Sequence, residues 1–159
     1  TPMSNNEVTC PRCSGHFSTY DACYFCGNTG VVNAEAARRL WCDEACRQVA
    51  AELAWAKHKA NLADPDYAEH MGETLADIQS GYCMAGVTAG GYPVTRSRVE
   101  HDFVEQESYS AAKALYDRAL LFDRQDTARL HYALTHDGPT GFVATLDRLE
   151  ALRSEDTGR

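Results

Sequence analysis

The sequence predicts a mainly α protein: a zinc-stabilised β-hairpin at the N-terminus, followed by a bundle of about five helices. Three observations carry that expectation. Four of the seven cysteines fall in the turn-rich stretch TCPRCSGHFSTYDACYFCGNTGVV, Thr9 to Val32, as two Cys-x-x-Cys pairs. From Ala34 to Leu62 there is neither Gly nor Pro, and Ala is abundant, which favours one long helix. Beyond it, apolar residues recur at helical spacing between Gly and Pro breaks. A chain of 159 residues with 44% hydrophobic content can bury one such core. The natural division is a Cys-rich module over 1–32 and a helical body over 33–159, joined by the helix over 34–62.

Taken in order, residues 1–9 are polar and expected to be loose, with Met3 the expected natural start. Residues 10–32 show no helical period; they read as two tight turns with short strands at His16–Tyr20 and Val31–Val32. Asn33 is a good N-cap, and Glu35 sits where an acid favours the helix dipole. Asp64-Pro65 ends the long helix. A second helix runs from about Asp66 to Ser80, with Tyr67, Met71, Leu75 and Ile78 on one face. Residues 81–95 form a Gly-rich loop. Ser97 answered by Glu100 makes a capping box for a third helix, which carries Val99, Phe103, Tyr109, Leu115, Leu120 and Phe122. A fourth spans about Asp126 to His136. His136-Asp137-Gly138-Pro139 is a turn, and a fifth helix covers about Thr140 to Arg153.

The net charge of −8 is uneven. Residues 1–62 carry six basic and six acidic groups, so the acidity lies entirely in the rest. An acidic body repels the phosphate backbone and disfavours general nucleic-acid binding. No apolar run approaches bilayer length, and no signal peptide opens the chain. Seven cysteines without an export signal point to a reducing compartment, the cytoplasm, where paired Cys-x-x-Cys reads as metal or redox chemistry.

Zinc is the best reading of Cys10, Cys13, Cys23 and Cys26. Each Cys-x-x-Cys turn aims two sulfurs at one point, and two turns complete a tetrahedron. Ser14-Gly15 and Gly27-Asn28 follow the second cysteine of each pair, where backbone amides must approach the sulfurs. A redox dithiol needs only one such pair, at a helix start after a strand. The segment resembles the cysteine-rich region of the DnaJ co-chaperones, whose repeat is C-x-x-C-x-G-x-G. CPRCSGHF matches through Gly15, with Phe17 in place of the second glycine; CYFCGNTG matches at Gly30, with Asn28 in place of the first. The resemblance covers Thr9 to Val32 and implies a zinc-held hairpin that contacts other proteins. It does not extend to co-chaperone activity, because the J-domain and its His-Pro-Asp motif are absent.

Cys42 and Cys46 lie four apart on the long helix and share a face. They fit small apolar packing beside Val49 and Leu53. The alternative is a second metal site helped by His58, His70 or Cys83. WCDEACRQ followed by WAKHK resembles the second half of MYND zinc fingers, although the spacing is stretched and a final cysteine is missing.

No nucleophile–base spacing marks an enzyme; the histidines scatter, and AGVTAGG lacks the Lys-Ser/Thr of a phosphate loop. The acids of EHDFVEQE, Glu100 to Glu107, read as a solvated helix face. The expected function is a non-enzymatic adaptor or regulator whose zinc turns present Arg12, His16, Phe17, Tyr20, Tyr24 and Phe25 to a protein partner. Its composition fits an accessory factor of a bacterium or bacteriophage. The alternative is a nucleic-acid-binding zinc module using Arg12, Arg38, Arg39 and Arg47.

Overall fold

The computed structural model describes residues 6–18, 20–80 and 94–157. Among these residues two short strands precede four helices: β1 (Glu7–Thr9), β2 (Val31–Asn33), α1 (Ala34–Asn61), α2 (Pro65–Ser80), α3 (Arg96–Ala119) and α4 (Arg124–Thr157). The strands pair antiparallel, with Glu7 opposite Asn33, Val8 opposite Val32 and Thr9 opposite Val31.

The mainly α architecture matches the sequence expectation, but the hairpin is built differently. The strand expected at His16–Tyr20 is absent over the described residues His16–Ser18, and Glu7–Thr9, expected to be loose, is a strand. The cysteine turns fill the span between Cys10 and Gly30, so the chain entering and leaving them must meet. The Cys10 amide donates to the Gly30 carbonyl at 2.9 Å, extending the ladder up to the first cysteine.

Asn33 ends β2 and caps α1; its side-chain oxygen accepts from the Glu35 amide at 2.8 Å. With 28 residues, α1 is about 42 Å long. The Asp64 carboxylate accepts from the Asp66 amide at 3.0 Å, and Pro65 takes the first helical position of α2, where its missing amide costs nothing. Met71 of α2 is buried, Tyr67 and Leu75 are half-buried, and Ile78 is exposed, so the inward face fades along the helix.

The cap of α3 is Thr95 rather than Ser97; its hydroxyl accepts from the Arg98 amide at 3.2 Å. Glu100 is drawn elsewhere, accepting from Arg96 Nε at 2.6 Å, so no capping box closes. Tyr109 points outward, while Val104, Ser108, Ala112 and Leu115 form the buried face. The predicted Gly-rich loop lies outside the described residues, apart from Val94 and Thr95.

Among the described residues the helix count is four rather than about five. The expected break at His136–Pro139 shrinks to one residue, Gly138, at φ 72° and ψ −162°, and α4 carries helical hydrogen bonding on both sides of it. The bend is sharp: Ala128 and Tyr132 before it line one groove with Leu149 and Leu152 after it. Gly141 makes the bend possible, because a Cβ there would run into the Asp137 side chain and lie 3.2 Å from the Ala133 carbonyl oxygen.

The core joins α1, α3 and α4. Cys42, Ala45, Cys46, Val49 and Ala50 meet Ala112, Leu115 and Ala119, and Phe122, Leu130, Phe142 and Leu146 close the third side. The small residues let α1 and α3 run close together. Arg118 clamps α3 to α4 by ion pairs with Asp147, at 2.6 Å, and Glu150. The carbonyls of Leu121 and Phe122, in the turn after α3, accept from Arg153 at 3.1 Å and Arg38 at 2.9 Å.

Candidate metal centre

The two Cys-x-x-Cys turns fold against each other so that Cys10, Cys13, Cys23 and Cys26 offer their sulfurs within 4.8 Å of one another. Cys10 Sγ lies 3.8 Å from Cys23 Sγ, and Cys13 Sγ lies 3.8 Å from Cys26 Sγ. Sulfurs at a metal–sulfur distance of about 2.3 Å form a tetrahedron with an edge of ~3.8 Å. A disulfide needs roughly 2 Å. The cluster has the dimensions of a tetrathiolate metal site, and all four thiols are free.

Both turns use left-handed backbone. Ser14 and Gly15 sit at φ 53° and 81°, and Gly27 and Asn28 both at 62°. That conformation reverses the chain tightly enough to direct amides inward. The Gly30 amide donates to Cys26 Sγ at 3.4 Å. Asn28 also reaches back, its side-chain oxygen accepting from the Cys23 amide at 2.7 Å. Asparagine suits this position because it tolerates the backbone angle and adds a bond.

The thiols are not equivalent. Desolvation pushes Cys13 up to about 12; the Gly15 amide opposes this and the other three cysteines add to it. Cys26 moves down to about 6. Burial there acts upward, but the Gly30 amide, the Cys23 and Cys13 thiols and the Thr29 amide outweigh it. Cys26 is therefore a readier thiolate than Cys13, and a cation entering the cluster would displace protons still held there.

The residues singled out for partner contact surround this cluster. Tyr20 is 98% exposed and Tyr24 94%. Phe25 and Phe17 are also exposed, and the Phe17 ring packs over Gly30, 3.2 Å from where a Cβ would stand. Phe17 and Gly30 hold the same position in the two cysteine repeats, so the large residue of one turn covers the small residue of the other. Arg12, His16, Tyr24 and Phe25 line an open cleft between the turns. Arg12 also pairs with Glu44 of α1 at 3.4 Å, tying the first turn to the helix.

Cys42, Cys46 and His58 are not brought together. Cys42 and Cys46 are fully buried in the α1–α3–α4 core, and desolvation pushes Cys46 up to about 12. A thiol held protonated among apolar side chains is packing material. His58 lies twelve residues further along α1, about 18 Å away by helical rise. His70 is exposed on α2, and Cys83 lies outside the described residues. Of EHDFVEQE, His101, Asp102 and Glu105 gather within 4.8 Å, all exposed on one surface of α3.

What the sequence did not signal is the setting of His58. It is 1% exposed, hydrogen-bonded through Nδ1 to the Tyr67 hydroxyl at 2.8 Å and ringed by Trp55, Tyr67 and Phe103. Its Nε2 is buried without a hydrogen bond, 3.6 Å from the Glu100 carboxylate. Three helices contribute to this arrangement, and no local motif announces it. Among the described residues no helix is long and apolar enough to cross a membrane. Compared with protein-family models, curated proteins and solved structures, the chain matches none.

Proposed function

We propose that this protein is a zinc-binding, non-enzymatic adaptor or regulator that contacts a protein partner through the tips of its cysteine turns. The observation that carries the reading is the pairing of a tetrathiolate cluster with Tyr20 and Tyr24, almost wholly solvent-exposed beside it. Aromatic side chains on a rigid support make strong contact sites, because little conformational entropy is lost when they are buried. Zinc suits four thiolates at this spacing, and it would hold a segment whose own core is only Cys10, Cys26, Val32 and their neighbours. The likeness of Thr9–Val32 to the DnaJ cysteine-rich region supports the same use.

The nucleic-acid alternative is weakened by the arginines it needs. Arg12 pairs with Glu44, Arg38 and Arg39 with Glu35, and Arg47 with Asp43. Each would have to abandon an acid to meet a phosphate.

Two measurements test the proposal. Native mass spectrometry should find one zinc per chain, unchanged in a Cys42→Ala/Cys46→Ala variant and lost in Cys10→Ser/Cys13→Ser. A photo-crosslinking residue at position 24 should then trap a protein in cell extract, while the same residue at Tyr132 should not. No zinc, or equal trapping at both positions, would refute the reading. Salt-sensitive binding to DNA or RNA would move the nucleic-acid alternative ahead.

A further inference from the structure

Helix α4 covers only one side of the α1–α3 pair. On another side a groove of about 350 Å³ runs between the two helices. Its floor is small: Ala51, Ser108 and Ala112. Tyr109 stands at its edge and is 73% exposed. Glu105 and Lys113 flank it on the same stripe of α3, one turn before and one turn after. Lys113 has no ion-pair partner among the described residues. Glu105 meets only His101, at 3.8 Å.

That stripe is self-complementary. Tyr109 is midway between Glu105 and Lys113. A twofold axis through Tyr109, with two copies of α3 antiparallel, sets Glu105 against the second copy's lysine and Lys113 against its glutamate. The two tyrosines then meet at the axis. The same operation sets His101 opposite Asp117, four residues further out on each side. Rows of residues four apart pack against one another at a crossing angle of about 50°, which keeps the centre of such a stripe in contact. On the other rim Arg47 and Asp43, paired at 3.2 Å, again present both signs. A groove whose charges cancel under a twofold axis is the requirement for an isologous dimer.

We propose that this face pairs two copies of the chain through α3, with Tyr109 on the twofold axis and Glu105–Lys113 ion pairs on either side. The proposal does not rest on the metal site, since the hairpin is not part of the groove.

Sedimentation of the full chain over a range of concentrations tests it. The parent should show a reversible monomer–dimer equilibrium. Lys113→Glu places like charges together twice and should weaken the dimer roughly tenfold or more. Tyr109→Ser should weaken it as well. The swap Glu105→Lys/Lys113→Glu restores both pairs and should recover dimerisation. All three positions are exposed, so circular dichroism should show the variants folded like the parent. A parent that stays monomeric would overturn the proposal and leave the groove to another partner. So would a dimer indifferent to Lys113→Glu, or a swap that fails to recover what Lys113→Glu loses.

Discussion

Removing one hydroxyl from the surroundings of His58 should cost more than removing the histidine. Tyr67→Phe deletes the group hydrogen-bonded to Nδ1 at 2.8 Å. The Glu100 carboxylate, 3.6 Å from Nε2, favours the tautomer with its proton on Nε2, so Nδ1 is the acceptor of the Tyr67 hydroxyl. At 1% exposure the imidazole cannot turn to water, and the variant would hold a histidine with neither nitrogen hydrogen-bonded. An orphaned buried acceptor costs about 1–3 kcal/mol. For a chain of this length a 2 kcal/mol loss lowers Tm by roughly 4–8 °C. His58→Leu removes both ring nitrogens, including the one already unsatisfied, and leaves the Tyr67 hydroxyl on a half-buried residue that can reach solvent. It should stay within about 1 kcal/mol of the parent. Thermal and urea unfolding of the two variants, side by side, measure the difference. If His58→Leu proved the more damaging, the imidazole would be held by its ion pair with Glu100, and the reasoning from an orphaned nitrogen would fail.

Gly141→Ala should destabilise by about 1–3 kcal/mol, because its new methyl meets the Asp137 side chain at the bend of α4. Gly138→Ala meets nothing nearby, but φ 72° and ψ −162° is a region essentially confined to glycine, so it should cost about 1–3 kcal/mol through backbone strain alone; calorimetry of each variant reads the loss, and a Gly138→Ala variant as stable as the parent would refute the strain. Chelation at neutral pH should leave the helical circular dichroism nearly intact while the amides of Cys10 to Gly30 lose hydrogen-exchange protection, since the helices have their own core; loss of helical signal would refute that independence. Hydrogen bonds from Arg38 and then Arg39 hold the Glu35 carboxyl down to about 2, against an ordinary value of 4.5. A depressed carboxyl stabilises the fold above its unfolded value, and that contribution fades as pH falls from 4.5 towards 2. Glu35→Gln should flatten acid unfolding across that window, and an unchanged acid profile would show the ion pairs to be idle.

The four-cysteine cluster was legible because its signal is local. Cys10 and Cys13, like Cys23 and Cys26, define their own turns, and repetition after thirteen residues brings the turns together. α1 was legible for a similar reason: propensity and the Asn33 cap lie within one window. β1 was not, since Glu7–Thr9 is a strand only because the cluster pulls its end onto Gly30. The break expected around Gly138 was correctly located, but its size depended on Gly141 tolerating close approach, which spacing does not encode. The Thr95 cap lay two residues before the stronger motif at Ser97. The packing of Tyr67 and Glu100 on His58 was invisible, because three separate helices must first assemble.

Asn33 belongs to the hairpin and to α1 at once, and no linker separates them. The Ala34 amide donates to the Asn6 carbonyl at 2.6 Å and Arg12 is tied to Glu44, so the joint is braced on two sides. Mechanically, the hairpin is the head of a lever whose arm is α1. A force that tilts the exposed tyrosines would not swing a tethered finger; it would apply torque to a rod of about 42 Å. The far end of that rod is where His58 meets α2 and α3, so a load on the head reaches the other end of the molecule without passing through a flexible segment.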